Sequence, residues 1–118
     1  MIKIGFNVEL LEGKKICQVE RHTEGGTYVI GGTTDANLYI TYNYSKFFYS
    51  HLDKKHGLKF LNMKKAKNVT EKLRKAVNTL GVERNNNYWK ATPGNAGYAL
   101  SILLKWAQKY PEARFKVK

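Results

Sequence analysis

The segment of residues 89–110 constrains the fold most, because it carries signals for both ends of one helix. Thr92 followed by Pro93 is typical of an N-cap and a proline at the first helical position, where a missing N–H group costs nothing. Pro111 predicts the end of the helix just after Tyr110. An apolar stripe at i, i+3 and i+4 spacing lies between these signals and comprises Ala96, Ala99, Leu100, Leu103, Leu104 and Ala107. We therefore predict an amphipathic helix of about four turns.

The first forty residues predict β-strands, because apolar residues alternate with polar ones from Ile2 onward and again in residues 16–21, 27–30 and 36–42. The short spacings suit an antiparallel sheet, since parallel strands need long crossovers. Residues 113–118 predict one further strand at a sheet edge. The 118 residues match the usual size of one domain. We predict a single α+β domain over residues 1–118, with an antiparallel sheet from the N-terminal half plus a C-terminal strand, packed against about three helices.

Two further helices are predicted between the strands and the C-terminal helix. The first follows Ser45 and ends at Gly57, and a basic connector over residues 57–67 follows it. The second begins at Asn68, because Asn68 and Glu71 have the spacing of a capping box, and it ends at Gly81. Its apolar stripe comprises Val69, Leu73, Ala76, Val77 and Leu80.

The net charge of +12 is concentrated in one part of the chain. Residues 1–45 contain four basic and five acidic residues, whereas residues 46–118 contain 17 basic and four acidic ones. One-sided charge of this kind indicates a polyanionic partner such as nucleic acid, a nucleotide or an acidic protein. The alternative is a solvated lysine-rich surface.

Two short motifs combine aromatic, amide and cationic side chains. Residues 41–45 place Asn43 among tyrosines at the end of a predicted strand, where an amide can contact a base edge and a ring can stack on it. Residues 88–97 repeat the mixture at a helix N-terminus, where free amide groups attract anions. In the alternative interpretation Asn43 holds a turn, and the small residues around Gly94 permit close packing of another backbone. Both interpretations stay open at this point, whereas Trp106 is assigned to packing.

Signals for catalysis and metal binding are weak. Cys17 is interpreted as a buried structural cysteine, and the spacing of His51 and His56 does not suit a shared helical face. The nine acidic residues are scattered. The glycine pairs at residues 25–26 and 31–32 predict turns and lack the spacing of phosphate-binding loops. We therefore predict a non-catalytic protein without cofactor or metal.

The motifs Thr41-Tyr42-Asn43-Tyr44-Ser45 and Trp89-Lys90-Ala91-Thr92-Pro93-Gly94-Asn95-Ala96-Gly97 resemble a family of small proteins encoded by phages and bacteria. The resemblance extends over most of residues 37–118. It implies a small cytosolic protein, often of phage origin, and by association an antagonist of host defence. The connector over residues 62–67 is more lysine-rich than the family leads us to expect.

Three functional hypotheses follow. In the first, the protein sequesters a phosphorylated, base-containing ligand, such as a nucleotide or a cyclic nucleotide signal, without turning it over. The expected ligand-binding residues are Tyr42, Asn43, Tyr44, Arg84, Trp89, Lys90, Thr92, Gly94 and Asn95.

In the second hypothesis the basic half binds DNA or RNA. The expected contacts are Lys54, Lys55, Lys59, Lys64, Lys65, Lys67, Lys72, Arg74 and Lys75. In the third, the positive surface docks on an acidic host protein.

A cytoplasmic location is expected, because we find neither a signal peptide nor an apolar run long enough to span a membrane. Self-association is also expected, because small ligand-sequestering proteins often build their sites between subunits.

Overall fold

A computed structural model of the protein describes residues 4–24 and 30–118. Short strands occupy the first part of the chain, three α-helices follow, and one strand lies near the C-terminus. The strands are β1 (Gly5–Glu12), β2 (Lys15–Ile16), β3 (Gln18–His22), β4 (Thr33–Asp35), β5 (Asn37–Thr41) and β6 (Arg114–Val117). The helices are α1 (Ser45–His51), α2 (Ala66–Leu80) and α3 (Pro93–Lys109), with 3₁₀ turns at Tyr42–Tyr44 and Gly57–Leu61. The predicted α+β fold is confirmed.

Strand β1 is the centre of a four-stranded antiparallel sheet. It pairs with β5 and β2 along one edge and with β6 along the other, with Phe6 opposite Ile40 and Leu10 opposite Phe115. Strands β3 and β4 pair separately in a two-stranded sheet. Hydrogen bonds of Cys17 and Ala36 join the two sheets beside β1. The single sheet expected from the sequence is therefore divided. The strand expected over residues 27–30 lies mostly outside the described residues, and the glycine pair at 25–26 lies wholly outside them.

Helix α3 begins and packs as its sequence predicts. Thr92 is the N-cap, and its side-chain oxygen accepts a hydrogen bond of 3.1 Å from the backbone N–H of Asn95. Leu100 and Leu103 are fully buried, Leu104 is partly buried and Trp106 packs in the core. The apolar faces of α2 and α3 share one core with the inward-facing residues of the strands. The cap therefore fixes where α3 starts, and the stripe fixes which face it buries.

Helix α2 starts three residues earlier than the capping-box spacing predicts, so that prediction is wrong. Its N-cap is Lys65, and Asn68 lies inside the first turn. The first helical amides are satisfied by the chain next to β6, because Ala66 donates to the carbonyl of Ala113 and Lys67 to that of Pro111. With these partners the helix needs no side-chain cap. The predicted end at Gly81 is confirmed.

Helix α1 is shorter than expected and ends at His51, not at Gly57. The chain then turns at Asp53, whose carboxylate accepts a hydrogen bond of 2.6 Å from the backbone N–H of His56. Gly57 has a φ of +59° and opens the 3₁₀ turn. Leu58 and Leu61 of this turn are buried.

Candidate functional site

The structure brings the two sequence motifs together at the loop that connects α2 to α3. We call residues 82–92 the polar loop. The side-chain amide of Asn43 donates a hydrogen bond of 2.8 Å to the carbonyl of Trp89. The hydroxyl of Tyr44 donates to the carbonyl of Tyr88, and burial raises the pKa of Tyr44 well above its ordinary value. The motif after β5 therefore holds the polar loop in place.

Asn95, in the first turn of α3, is the centre of the hydrogen bonds that hold the polar loop. Its side-chain oxygen accepts a hydrogen bond of 2.9 Å from the N–H of Asn85. Its side-chain nitrogen donates to the carbonyls of Asn87, at 3.1 Å, and Lys90, at 2.9 Å. The residue is only 5% exposed. Both N–H groups and the oxygen of this amide thus have partners inside the protein, as the burial of an amide requires.

Two asparagines of the loop extend this network and were not singled out from the sequence. The side-chain oxygen of Asn85 accepts from the N–H of Asn87, and that of Asn87 accepts from the N–H of Trp89. A hydrogen bond from an N–H to the side chain two residues earlier defines an Asx turn. The run of three asparagines at residues 85–87 is the signal that could have predicted these turns.

The start of α3 is covered by the chain itself. A methyl group added at Gly94 would lie 1.8 Å from the carbonyl oxygen of Glu83, and one added at Gly97 would lie 1.8 Å from that of Gly81. These glycines therefore permit close packing of the chain's own backbone, which is one of the two interpretations left open by the sequence. The side-chain oxygen of Thr92 is already engaged, because as the N-cap it accepts a hydrogen bond from the N–H of Asn95.

The remaining expected ligand-binding residues lie nearer the surface. Tyr42 is half-buried, with its ring edge against Phe6 at 4.5 Å between centroids. Trp89 is 47% exposed, and Lys90 is exposed. The guanidinium of Arg84 lies over the ring of Tyr98, 4.3 Å from its centroid. Of the nine expected residues, Asn43, Arg84, Trp89 and Lys90 are exposed, and the amide of Asn43 is already bonded to the polar loop.

A cleft of about 360 Å³ opens beside Arg84. The polar loop, β5 and α3 form its walls. Tyrosines dominate the lining, which includes Tyr39, Tyr44, Tyr88 and Tyr98. The hydroxyl of Tyr98 donates a hydrogen bond of 2.9 Å to Glu24, whose carboxylate also lies 4.0 Å from Arg84. Burial and this hydrogen bond raise the pKa of Tyr98. Glu24 and Tyr98 were not identified from the sequence.

A second region carries the charge of the C-terminal half. We call the following nine residues the basic surface: Lys54, Lys55, Lys59, Lys64, Lys65, Lys67, Lys72, Arg74 and Lys75. Two of these cations lie over the ring of Phe60, with the amino groups of Lys64 and Lys72 at 4.4 and 4.5 Å from the ring centroid. The amino group of Lys72 also donates a hydrogen bond of 3.1 Å to the carbonyl of Leu52. Lys72 therefore joins α2 to the end of α1 and to the 3₁₀ turn.

Only part of this charge is neutralised within the protein. Glu112 pairs with Lys67 at 2.8 Å and with Lys65 at 3.2 Å, and these hydrogen bonds lower its pKa. Arg74 pairs with Glu71. Within the basic surface, four lysine side chains form neither an ion pair nor a hydrogen bond with the described residues, namely Lys54, Lys55, Lys59 and Lys75.

Cys17 and the histidines do not form a reactive group in the described part of the chain. Cys17 is 3% exposed, and burial together with the nearby Glu12 raises its pKa to about 11. The thiol is therefore protonated at neutral pH. His56 pairs with Asp53, and the N–H of His56 is the main cause of the lowered pKa of that carboxyl. The described residues contain no cluster of three or more His, Cys, Asp or Glu side chains suited to a metal ion.

The fold and the two regions define an α+β domain with a hydrogen-bonded polar loop and a separate basic surface. No known protein family, curated protein or solved structure matches this chain. The resemblance to a phage and bacterial family therefore stays a prediction. Within residues 4–24 and 30–118, no helix combines the length and the apolar character needed to cross a bilayer.

Proposed function

We propose that the protein binds nucleic acid through the basic surface, without strong selectivity for sequence. The observation that carries this proposal is that the amino groups of Lys64, which follows the 3₁₀ turn, and of Lys72, on α2, both lie over the ring of Phe60, within a stretch of nine cations between residues 54 and 75. Positive charge gathered on one surface is the electrostatic footprint of a polyanion-binding protein.

The nucleotide hypothesis receives less support from its expected contacts. Asn43, Tyr44 and Asn95 use their polar side-chain atoms to hold the polar loop. Thr92 caps α3, and Gly94 lies against the backbone of Glu83. A ligand would have to displace these internal partners, at the cost of leaving buried polar groups unsatisfied.

Several cations of the basic surface need no such displacement. Lys54, Lys55 and Lys59 are exposed and have no internal partner among the described residues. Asp53, the nearest acidic residue in sequence, is engaged by His56. Phosphates approaching this part of the surface therefore meet hydrated ammonium groups, and neutralising those phosphates releases counterions from the nucleic acid.

The test is the salt dependence of binding to one labelled duplex and one labelled single strand, measured by fluorescence anisotropy. We compare the wild type with the triple variant Lys54→Gln, Lys55→Gln, Lys59→Gln. The matched control is Lys14→Gln, Lys15→Gln, Lys105→Gln, which removes the same charge from exposed positions outside the basic surface. We expect the first variant to bind about ten-fold or more weakly near ~150 mM salt and to reduce the salt slope by about 2.

The control should keep at least most of the wild-type affinity and slope. Equal weakening by both variants would show a general charge effect and would overturn the assignment to the basic surface. Failure of the wild type to bind either oligonucleotide at ~50 mM salt would overturn nucleic-acid binding altogether. In that case an acidic protein partner becomes the hypothesis to test.

A further inference from the structure

The tyrosine-lined cleft beside the polar loop has features of a small-molecule site that is separate from the basic surface. Its volume of about 360 Å³ lies in the range of ligand pockets, roughly 300–1,000 Å³. Its walls come from β5 and the 3₁₀ turn after it, the polar loop, α3 and the residues that follow β3. Aromatic walls with one cation near the opening suit a ligand that has a flat ring system and an anionic group.

Arg84 is the cation of this cleft. Stacking on Tyr98 holds the plane of its guanidinium group, which carries five N–H donors in a fixed arrangement. Within the described chain it makes no hydrogen bond, and its nearest carboxylate oxygen, on Glu24, is 4.0 Å away. Such a group can donate two parallel hydrogen bonds to a phosphate without giving up an internal hydrogen bond.

We propose that this cleft binds a nucleoside phosphate, with the phosphate on Arg84 and the base among the tyrosines. The site retains Arg84 and Tyr44 from the residues expected from sequence and adds Glu24 and Tyr98. It assigns no ligand contact to the amides of Asn43 and Asn95. Its ligand is a single nucleotide, whereas the basic surface is proposed to bind a polymer, so the two proposals stand or fall independently.

Glu24 gives this proposal a specific consequence. Its carboxylate accepts a hydrogen bond from Tyr98 and lies close enough to Arg84 to repel an incoming phosphate. Glutamine at this position keeps an acceptor for Tyr98 and removes the negative charge. Glu24→Gln should therefore bind a nucleotide more tightly than the wild type, by about three-fold or more.

The experiment is isothermal titration calorimetry near ~150 mM salt with AMP, GMP, CMP, UMP, adenosine, guanosine and inorganic phosphate. The variants are Arg84→Gln and Glu24→Gln, with Arg74→Gln as the matched control on α2. We expect at least one monophosphate to bind the wild type with a Kd below about 1 mM. Arg84→Gln should weaken this binding about ten-fold or more, and Arg74→Gln should leave it unchanged.

Arg84→Gln should lose binding but unfold at the same temperature as the wild type. The reason is that this side chain is largely exposed and makes no hydrogen bond within the described residues. The absence of binding of all four monophosphates at about 5 mM would overturn the proposal. Equal binding by the wild type and Arg84→Gln would overturn it as well. Inorganic phosphate bound as tightly as the nucleotides would show that the tyrosines contribute nothing, and would overturn the assignment to a nucleoside phosphate.

The lysine variants separate this site from the basic surface. The triple variant Lys54→Gln, Lys55→Gln, Lys59→Gln should bind the monophosphate as the wild type does. A loss of monophosphate binding in this variant would place the nucleotide on the basic surface and overturn the cleft site. Binding of the labelled oligonucleotides should in turn be unaffected by Arg84→Gln.

Discussion

The polar loop and the basic surface contain comparable numbers of polar side chains but use them in opposite ways. Around the polar loop, backbone groups form hydrogen bonds with the side chains of four asparagines, namely Asn43, Asn85, Asn87 and Asn95. On the basic surface, Lys54, Lys55 and Lys59 face solvent without an internal partner among the described residues. The first arrangement stabilises a conformation, and the second leaves charge available to a partner.

This difference shows that a motif combining aromatic, amide and cationic side chains is not necessarily the part of the protein that binds a ligand. A buried amide is costly unless each of its polar atoms is satisfied, so a protein that buries Asn95 must surround it with partners. An exposed ammonium group stays hydrated and carries no such requirement. Substitutions should therefore affect stability strongly in the polar loop and weakly on the basic surface.

The largest expected effect is at Gly94, where the loop backbone leaves no space for a side chain. At an ordinary helical position Gly→Ala stabilises by up to about 1 kcal/mol, so the sign of the change is informative. Gly94→Ala should instead destabilise by about 3 kcal/mol, because the added methyl group overlaps the carbonyl of Glu83. Urea unfolding measures the change, with the exposed Gln108→Ala on the same helix as the control. A higher free energy of unfolding for Gly94→Ala than for the wild type would contradict the close packing at Gly94 and the contrast between the polar loop and the basic surface.

The next largest effect is expected at Asn95. Asn95→Ala removes three side-chain hydrogen bonds and leaves two carbonyls and one N–H of the loop without these partners. We expect a loss of about 2–3 kcal/mol in the free energy of unfolding. Asn86→Ala, an exposed change in the same loop, should cost less than about 0.5 kcal/mol. Similar unfolding midpoints for the two variants would contradict the structural role of Asn95.

An intermediate effect is expected at Cys17, a buried polar group outside the loop. Its pKa is about 11 in the folded protein against an ordinary 9.0, so the folded state retains the thiol proton more strongly than the unfolded state does. This contribution to stability is present below pH 9 and is lost as the pH rises toward 11.

Between about pH 8 and pH 10 the wild type should lose about 1 kcal/mol more than Cys17→Ala does. Urea unfolding of both proteins at the two pH values measures the difference. Tyr44 and Tyr98 also have raised pKa values, but they are common to both proteins and their contributions cancel. Parallel pH dependences would show that Cys17 does not contribute.

The smallest effect on stability is expected on the basic surface. The triple variant Lys54→Gln, Lys55→Gln, Lys59→Gln should change the free energy of unfolding by less than about 0.5 kcal/mol per site. The reason is that the three side chains have no internal partner in the described structure. A small gain is consistent with this view, since the substitutions reduce repulsion. Thermal unfolding at low and high salt measures the change. A loss comparable to that of Asn95→Ala would remove the distinction between the two regions.

Local sequence signals predicted the elements whose ends are stabilised locally. The N-cap Thr92 with Pro93 and the terminating Gly81 are such signals, and both helix ends lie where they were expected. The start of α2 could not be predicted, because its first amides bond to the chain before β6, more than forty residues away. Most residues of the candidate site were named from the sequence. That Asn43 and Tyr44 use their polar atoms inside the protein was not predictable, since their partners lie more than forty residues away along the chain.

The sequence by itself determined the α+β class, the apolar faces of α2 and α3 and the concentration of charge after residue 45, because periodicity and composition are local properties. Only the tertiary structure decided that the motif after β5 holds the polar loop, that Gly94 and Gly97 receive the protein's own backbone, and that Arg84 lies over Tyr98. The physical reason is that hydrogen-bond satisfaction and close packing depend on which distant segments meet. A polar residue is thus recognisable from the sequence, while its partner is not.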